Sequence, residues 1–416
     1  MLFIFIIGYI LIAFEHQIKL NKTASALVMG VACWLVYTLG SNDHHLLNEA
    51  LNGHLGDIAG IVFFLMGAMT IVELMDAHDS FDIISNAIKT TQSRKILWIV
   101  TGISFFLSAA LDNLTTTIVM ISLAFKLIQE TKDRLYFASM IVIAANAGGA
   151  WSPIGDVTTT MLWIGGQISS TEVIKHVFFP SLLSVFIPLL AIGWQLQKAQ
   201  NTQNKNQEPI QRKASSNGQK SMLYVGMGAL LFVPVFKTLT GLPPYMGMLL
   251  SLGGIWIFSE MLNSEKDTAE KESKSINHAI RKIDTPSILF FLGILMAVAA
   301  LQSAGTLTSL ANYLTEKIGN QHVVVIVLGL LSSVIDNVPL VAAAQGMYSL
   351  TQYPIDTPFW HFIAYCTGTG GSILIIGSAA GVAAMGISKI EFFWYLRKIS
   401  FWALLGYLVG AMFFLI

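Results

Sequence analysis

The stretch LSAALDNL at residues 107–114 returns, 224 positions later, as LSSVIDNV at 331–338. Each copy sits inside a long apolar segment, 96–125 and 322–355, whose lone acid is the aspartate of the motif: Asp112 in the first, Asp336 in the second. Working outward, FFLMGAMTIVELMDA (63–77) resembles FFLGILMAVAALQSA (290–304) at an offset of 227. GGAWSPIG (148–155) matches GGSILIIG (370–377) at an offset of 222. Three matches in one order at a nearly constant offset define an internal repeat.

Composition says where such a repeat lives. Of 416 residues, 54% are hydrophobic and 12% charged, against about 25% charged in a soluble chain. This is the composition of a polytopic membrane protein. Lys and Arg balance Asp and Glu at 24 each, which leaves no basic surface for nucleic acid. The two cysteines, Cys33 and Cys366, lie in apolar runs and offer neither a disulfide framework nor a zinc spacing. A bilayer core of about 30 Å takes about 20 apolar residues per helix. Segments 1–14, 22–40, 55–75, 135–163, 176–196, 222–236, 245–262, 285–301, 362–386 and 399–416 are read as membrane segments. The first lacks a basic leader region and is expected to be retained as a helix.

Positive charge orients the chain. With Lys89, Arg94 and Lys95 placed in the cytoplasm, 21 of the 24 Lys and Arg residues fall on that side, and only Lys175, Lys237 and Lys317 fall outside. The split holds only if 96–125 enters and leaves from the cytoplasm as a re-entrant hairpin, and 322–355 does the same from outside. The repeat is then inverted. The fold expected is an all-α polytopic membrane protein with an inverted structural repeat, two re-entrant hairpins and broken transmembrane helices. Its parts are a first repeat (1–196; hairpin about 96–125, broken helix about 135–163), a cytoplasmic linker (197–221) and a second repeat (222–416; hairpin about 322–355, broken helix about 362–386). Segment 263–284 reads as a mixed-charge loop, partly helical at most, and 76–94 and 302–320 as amphipathic interfacial helices. Inverted repeats with broken helices belong to secondary transporters, whose substrate sites lie near the midplane between the halves.

Asp112, Asp156 and Asp336 are the acids at depth, with Glu73 nearer a helix end, and in the sequence no Lys or Arg accompanies them. A carboxylate in hydrocarbon costs roughly 2.5–3.5 kcal/mol on insertion scales. Without a protein cation, its counter-ion is expected to be a transported cation or a proton. Asn113 and Asn337 add amide oxygens, and Ser108, Thr115, Thr116, Ser332 and Ser333 add hydroxyls. Gly148, Gly149, Pro153 and Gly155 break one helix just before Asp156, Thr158 and Thr159; the partner segment 366–381 breaks likewise and carries Thr367, Thr369, Ser372 and Ser378. Carboxylate, amide, hydroxyl and carbonyl oxygens suit Na+ or Li+. The plain alternative is that the aspartates cap helices at the turns; cap and site can coexist. The histidines, His78 and His361 among them, read as solvated residues at helix ends.

ELMDAH (73–78), SAALDNLTTTIVM (108–120), ANAGGAWSPIGDVTTTMLW (145–163), SSVIDNVPLVAA (332–343) and TGTGGSILIIGSAAG (367–381) together resemble the NhaD-type Na+/H+ antiporters of the ion transporter superfamily. The resemblance spans essentially the whole chain. It implies a scaffold and a moving transport part, elevator-like motion, a homodimer and a multi-pass protein of the bacterial inner membrane. It carries over Ser108, Asp112, Asn113, Asn146, Asp156, Thr158, Thr159, Ser332, Asp336, Asn337 and Ser372 as polar site residues, with Glu73 beside them. Na+ is expected at Asp112, Asn113, Asp156, Asp336 and Asn337, with no cofactor.

The activity expected is exchange of cytoplasmic Na+ (or Li+) for external H+, the two competing for the membrane carboxylates. One alternative is a Na+-coupled carrier of a small anion on the same fold, which would want Arg, amides or helix N-termini around its substrate. Another is an aspartyl protease with two acids sharing a proton; that chemistry needs neither the repeat nor the hairpins.

Overall fold

The computed structural model describes residues 1–13, 15–40, 44–88, 90, 92–128, 130–200, 216–264 and 267–416. Among them every regular element is helical. The first half holds α1 (Leu2–Ala13), α2 (Glu15–Ile18), α3 (Lys22–Leu39), α4 (His44–Ala77), α5 (Asp82–Ala87), α6 (Ser93–Leu111), α7 (Asn113–Leu127), α8 (Thr131–Ala150), α9 (Val157–Ile164) and α10 (Ser170–Gln200). The second holds α11 (Asn217–Thr240), α12 (Pro244–Leu262), α13 (Thr268–Ser273), α14 (Ile276–Lys282), α15 (Thr285–Ser303), α16 (Thr306–Ile318), α17 (Gln321–Leu331), α18 (Asn337–Met347), α19 (Pro358–Gly370), α20 (Ala379–Ser388), α21 (Phe392–Lys398) and α22 (Ser400–Phe414). Seven helices among the described residues are long and apolar enough to cross a membrane. Helix α1 is not one of them: 12 residues make about 18 Å.

The repeat is visible in backbone packing. Ser108 on α6 donates to the Ala145 carbonyl on α8 at 2.6 Å, and Ser332, after α17, donates to the Thr367 carbonyl on α19 at 2.8 Å. These are the same contact at offsets of 224 and 222. A β-carbon on Gly148 would collide with the Phe105 carbonyl, and one on Gly370 with the Gly329 carbonyl, again the same pair of offsets. The glycines therefore let each hairpin press directly on its broken helix. The segments 96–125 and 322–355 are helix–turn–helix units, α6–α7 and α17–α18, broken at Asp112 and at 332–336. The segments 135–163 and 362–386 are the broken pairs α8–α9 and α19–α20, interrupted by 151–156 and 371–378.

The pairing also organises the rest. Helix α3 lies along α15 as α12 lies along α4, α1 lies on α3 as α11 lies on α12, and α10 packs against α22. One expectation changes and another gains detail. Segment 76–94 is not one interfacial helix: among the described residues α4 runs to Ala77, the chain turns at 78–81, the short α5 covers Asp82–Ala87, and α6 starts at Ser93. Segment 263–284 forms two short helices, and Ile276 and Ala279 of α14 are buried, α14 packing on α4. The linker lies for its greater part, 201–215, outside the described residues, as do Lys89 and Lys266.

Candidate functional site

Asp156 and Ser378 occupy equivalent places in the two halves. Each precedes the second half of a broken helix in extended backbone, with φ −145° and ψ 146° at Asp156 and φ −143° and ψ 153° at Ser378. Gly148 and Gly149 stay inside α8, and Gly368 and Gly370 inside α19, while Pro153 and Gly155 lie in the first break and Gly371 and Gly377 in the second, so both residues are presented at an unwound stretch. Asp156 is 2% exposed. Its Oδ2 accepts from the Thr158 hydroxyl at 2.8 Å and from Nδ2 of Asn337 at 3.0 Å. The acid of one half is thus held by the hairpin amide of the other.

The opposite arm is longer. Asn113 at the first hairpin tip donates to Oδ1 of Asn146 at 3.0 Å, and Asn146 Nδ2 reaches the hydroxyls of Ser372 and Ser378, both at 2.9 Å. Asn146 has Gly368 as its repeat counterpart, where a β-carbon would stand 2.8 Å from Ala150 Cβ and 3.6 Å from Asp156 Oδ2. Glycine there leaves the space that the Asp156 carboxylate borders. The two arms are therefore related in position but not in chemistry: one carries a carboxylate, the other a hydroxyl.

Ser108, Ser332 and Thr159 are fully buried and spend their protons on backbone carbonyls. The first two fasten hairpin to broken helix, and Thr159 donates to the Asp156 carbonyl at 2.9 Å and more weakly to that of Gly149 at 3.3 Å. Their oxygens remain acceptors. Both hairpin acids also cap helices. Asp112, with φ 86°, accepts from the Thr115 amide and hydroxyl, both at 2.8 Å. Asp336 accepts from the Val338 amide at 3.3 Å. Neither Asp112 nor Asp156 has an ion-pair partner among the described residues.

Asp336 does have one, which corrects the expectation that no basic side chain reaches these acids. Lys22 Nζ, from the first residue of α3, lies 3.9 Å from Asp336 Oδ2. A lysine at a helix end carries a stem long enough to bring its charge to a neighbouring element. Glu73, on α4, touches none of these groups. It faces a cavity of about 300 Å³ shared with Asp76, Asp82, Thr115, Lys126 and Lys282. The cavity's lining takes in α7 from Leu114 to Lys126, about 18 Å at 1.5 Å per residue, and includes Thr115, the threonine that holds Asp112.

Two histidines depart from the solvated reading. His78 is buried, with Nδ1 2.8 Å from the Leu74 carbonyl and Nε2 3.2 Å from Asn263 Nδ2. His361 is fully buried, stacked on His176 at 4.7 Å between ring centroids, with Asp356 Oδ1 3.4 Å from its Nε2. The local sequence does not mark either residue as buried, since part of what covers each comes from a distant element, Asn263 for His78 and His176 for His361.

With this geometry in hand, comparisons with known proteins place the chain among carriers. The sequence profile described as "Citrate transporter" matches residues 9–361. Sodium/proton antiporter 1 of Arabidopsis thaliana is 47% identical over 99% of this chain and 71% of its own length. The Na+/H+ antiporter NhaD of Vibrio cholerae is 31% identical over 98% of this chain and 89% of its own. Among solved structures, the YdaH transporter of Alcanivorax borkumensis superposes with a TM-score of 0.58 over 90% of this chain and 89% of its own, at 11% identity. That last likeness speaks to the fold alone.

Proposed function

Since this chain belongs to the citrate transporter family and, within the ion transporter superfamily, to the NhaD-type antiporters, we propose that it exchanges cytoplasmic Na+ or Li+ for external H+ across its membrane. As a multi-pass transporter it moves its substrates without chemical change. The observation that carries the reading is Asp156: a buried carboxylate with no protein cation among the described residues, held across the pseudo-two-fold by the Asn337 amide N–H and within its own half by the Thr158 hydroxyl. Such a group is tolerable in hydrocarbon only when a cation or a proton balances it. Na+ takes Asp112, Asn113, Asp156, Asp336 and Asn337 as its oxygen donors, with Ser108, Asn146, Thr158, Thr159, Ser332 and Ser372 shaping the site. Protons compete for the same carboxylates, and the site crosses only when neutralised, which couples the two fluxes.

The cavity beside α7 is the cytoplasmic approach in this reading. Glu73, Asp76, Asp79, Asp82 and Asp284 in its wall outnumber Lys126 and Lys282, a surplus of negative charge that concentrates cations. Residues 1–196 and 222–416 form the two inverted halves, joined by the cytoplasmic linker 197–221. The scaffold is the α3–α15 and α12–α4 pairs; the moving part is the two hairpins with their broken helices. What supports the division is that each set packs mainly within itself. Elevator-like motion and a homodimer rest on the family resemblance. Placement in the bacterial inner membrane rests on the NhaD proteins, since the 47% identical relative is from a plant.

Na+-coupled carriage of a small anion is the other reading, favoured by the description of the matching family profile. Against it, the acids would repel a carboxylate, and the basic side chain nearest them is already engaged by Asp336. Everted vesicles with a respiratory pH gradient decide between the two. Na+ or Li+, added without any organic anion, is expected to dissipate the gradient at once, and K+ is not. No response to Na+ and Li+, or a response only once citrate is supplied, would contradict the proposal.

A further inference from the structure

The two hairpin acids are satisfied by different means, and the difference follows from two exchanged positions. At the first tip, Thr115 supplies an amide and a hydroxyl to Asp112, each at 2.8 Å. The repeat counterpart of Thr115, at the hairpin offset of 224, is Pro339, which has no N–H and no hydroxyl. Asp336 is left with the Val338 amide at 3.3 Å. The missing donor comes from elsewhere: Lys22, whose ammonium lies 3.9 Å from Asp336 Oδ2 and is steadied over the Phe290 ring at 4.7 Å from its centroid. The counterpart of Lys22, at the offset of 222, is Pro244, so Asp112 has no such cation. Lysine and threonine thus stand where the other half has proline.

From this, and resting on the Na+/H+ exchange reading above, we propose that Lys22 is a tethered counter-cation that occupies the Asp336 carboxylate whenever no transported cation does, so that Na+ gains this acid by displacing an ammonium group. Lys22 is a positioning residue, since it acts on the cargo through Asp336. The geometry suits displacement. The pair is neither deeply buried nor fully solvated, with side-chain exposures of 24% and 15%. A contact of 3.9 Å is also longer than the 2.7–2.9 Å of a tight charge-assisted hydrogen bond. The ammonium can therefore leave without stranding a buried charge, retreating to the Phe290 ring and to water. Asp112, by contrast, must release no protein cation.

The test is Na+-dependent dequenching in everted vesicles at one fixed pH, over a Na+ series, for wild type, Lys22→Gln and Lys22→Arg at matched membrane levels. Lys22→Gln removes the competitor, and its half-saturating Na+ concentration is expected to fall about tenfold, or about 1.4 kcal/mol, with the maximal rate unchanged or lower. Lys22→Arg keeps a cation in reach and is expected within about twofold of wild type, by the same conversion a few tenths of a kcal/mol. A purely structural lysine would give the opposite signature, a lower maximal rate at unchanged half-saturation. An unchanged or raised half-saturation in Lys22→Gln overturns the inference while exchange by wild type leaves the transport reading standing. Absence of Na+-driven exchange in wild type overturns both.

Discussion

Asp156→Asn is expected to remove Na+-driven H+ movement while leaving the protein inserted. The amide has the volume of the carboxylate and can still accept from the Thr158 hydroxyl and from Asn337 Nδ2, the two bonds that hold Asp156 at 2.8 and 3.0 Å. What it cannot do is balance a cation. Breaking a buried charge pair by deleting one partner costs about 3–5 kcal/mol, so the apparent Na+ affinity should fall at least a hundredfold, roughly the low end of that range at 1.36 kcal/mol per decade. Asp156→Glu keeps the charge one methylene out of place and is expected to retain partial exchange with a displaced pH profile. Near-normal exchange by Asp156→Asn, measured by dequenching against the amount of protein in the membrane, would move the site elsewhere, with Asp112, Asp336 and Glu73 next to be tested.

The second large effect concerns the hairpin acids. Asp112→Asn and Asp336→Asn should each abolish exchange, although both residues are helix caps. Asparagine caps as well as aspartate does, and it has the same shape as the residue that already holds the strained backbone at Asp112, φ 86° and ψ 160°, so it adds no new strain there. The substitutions keep the cap to the backbone amide and remove the charge; at Asp112 the new amide NH2 replaces the oxygen that accepts from the Thr115 hydroxyl and donates to that hydroxyl instead. Retention of near-normal exchange by either variant would reduce that acid to its capping role. Equal membrane levels of both variants are part of the expectation, because a loss of protein would point to structure instead.

Much of this architecture was legible because glycine, proline and lone acids punctuate an apolar chain. GGAWSPIG spans the end of α8 and the break before α9, and LSAALDNL and LSSVIDNV mark two turns within a residue or so of where α7 and α18 begin. The charge count implied hairpins because parity demanded them. Contacts between halves were not legible. Nothing in the sequence says that Asn337 crosses to Asp156 of the other half while Asn113 stays with Asn146 of its own; the glycine–carbonyl contacts fasten each hairpin to the broken helix of its own half and leave the crossing contact unmarked. Lys22 escaped for a different reason. It sits at a helix end, where lysine is ordinary, and its reach to Asp336 depends on a side-chain stem that periodicity does not register. His361 shows the same limit, since a histidine at the start of α19 reads as interfacial until α10 brings His176 onto it.

The shared-site mechanism is tested most directly by the pH dependence of Na+ affinity in the unmodified protein. Half-saturating Na+ is read from dequenching in everted vesicles across a pH series. If Na+ and H+ compete for the same carboxylates, that concentration should rise about tenfold for each unit of pH lost through the range in which the site takes up one proton, with the maximal rate little changed. A half-saturating concentration that stays constant with pH while the maximal rate falls would contradict it, placing the proton on a group that Na+ does not touch.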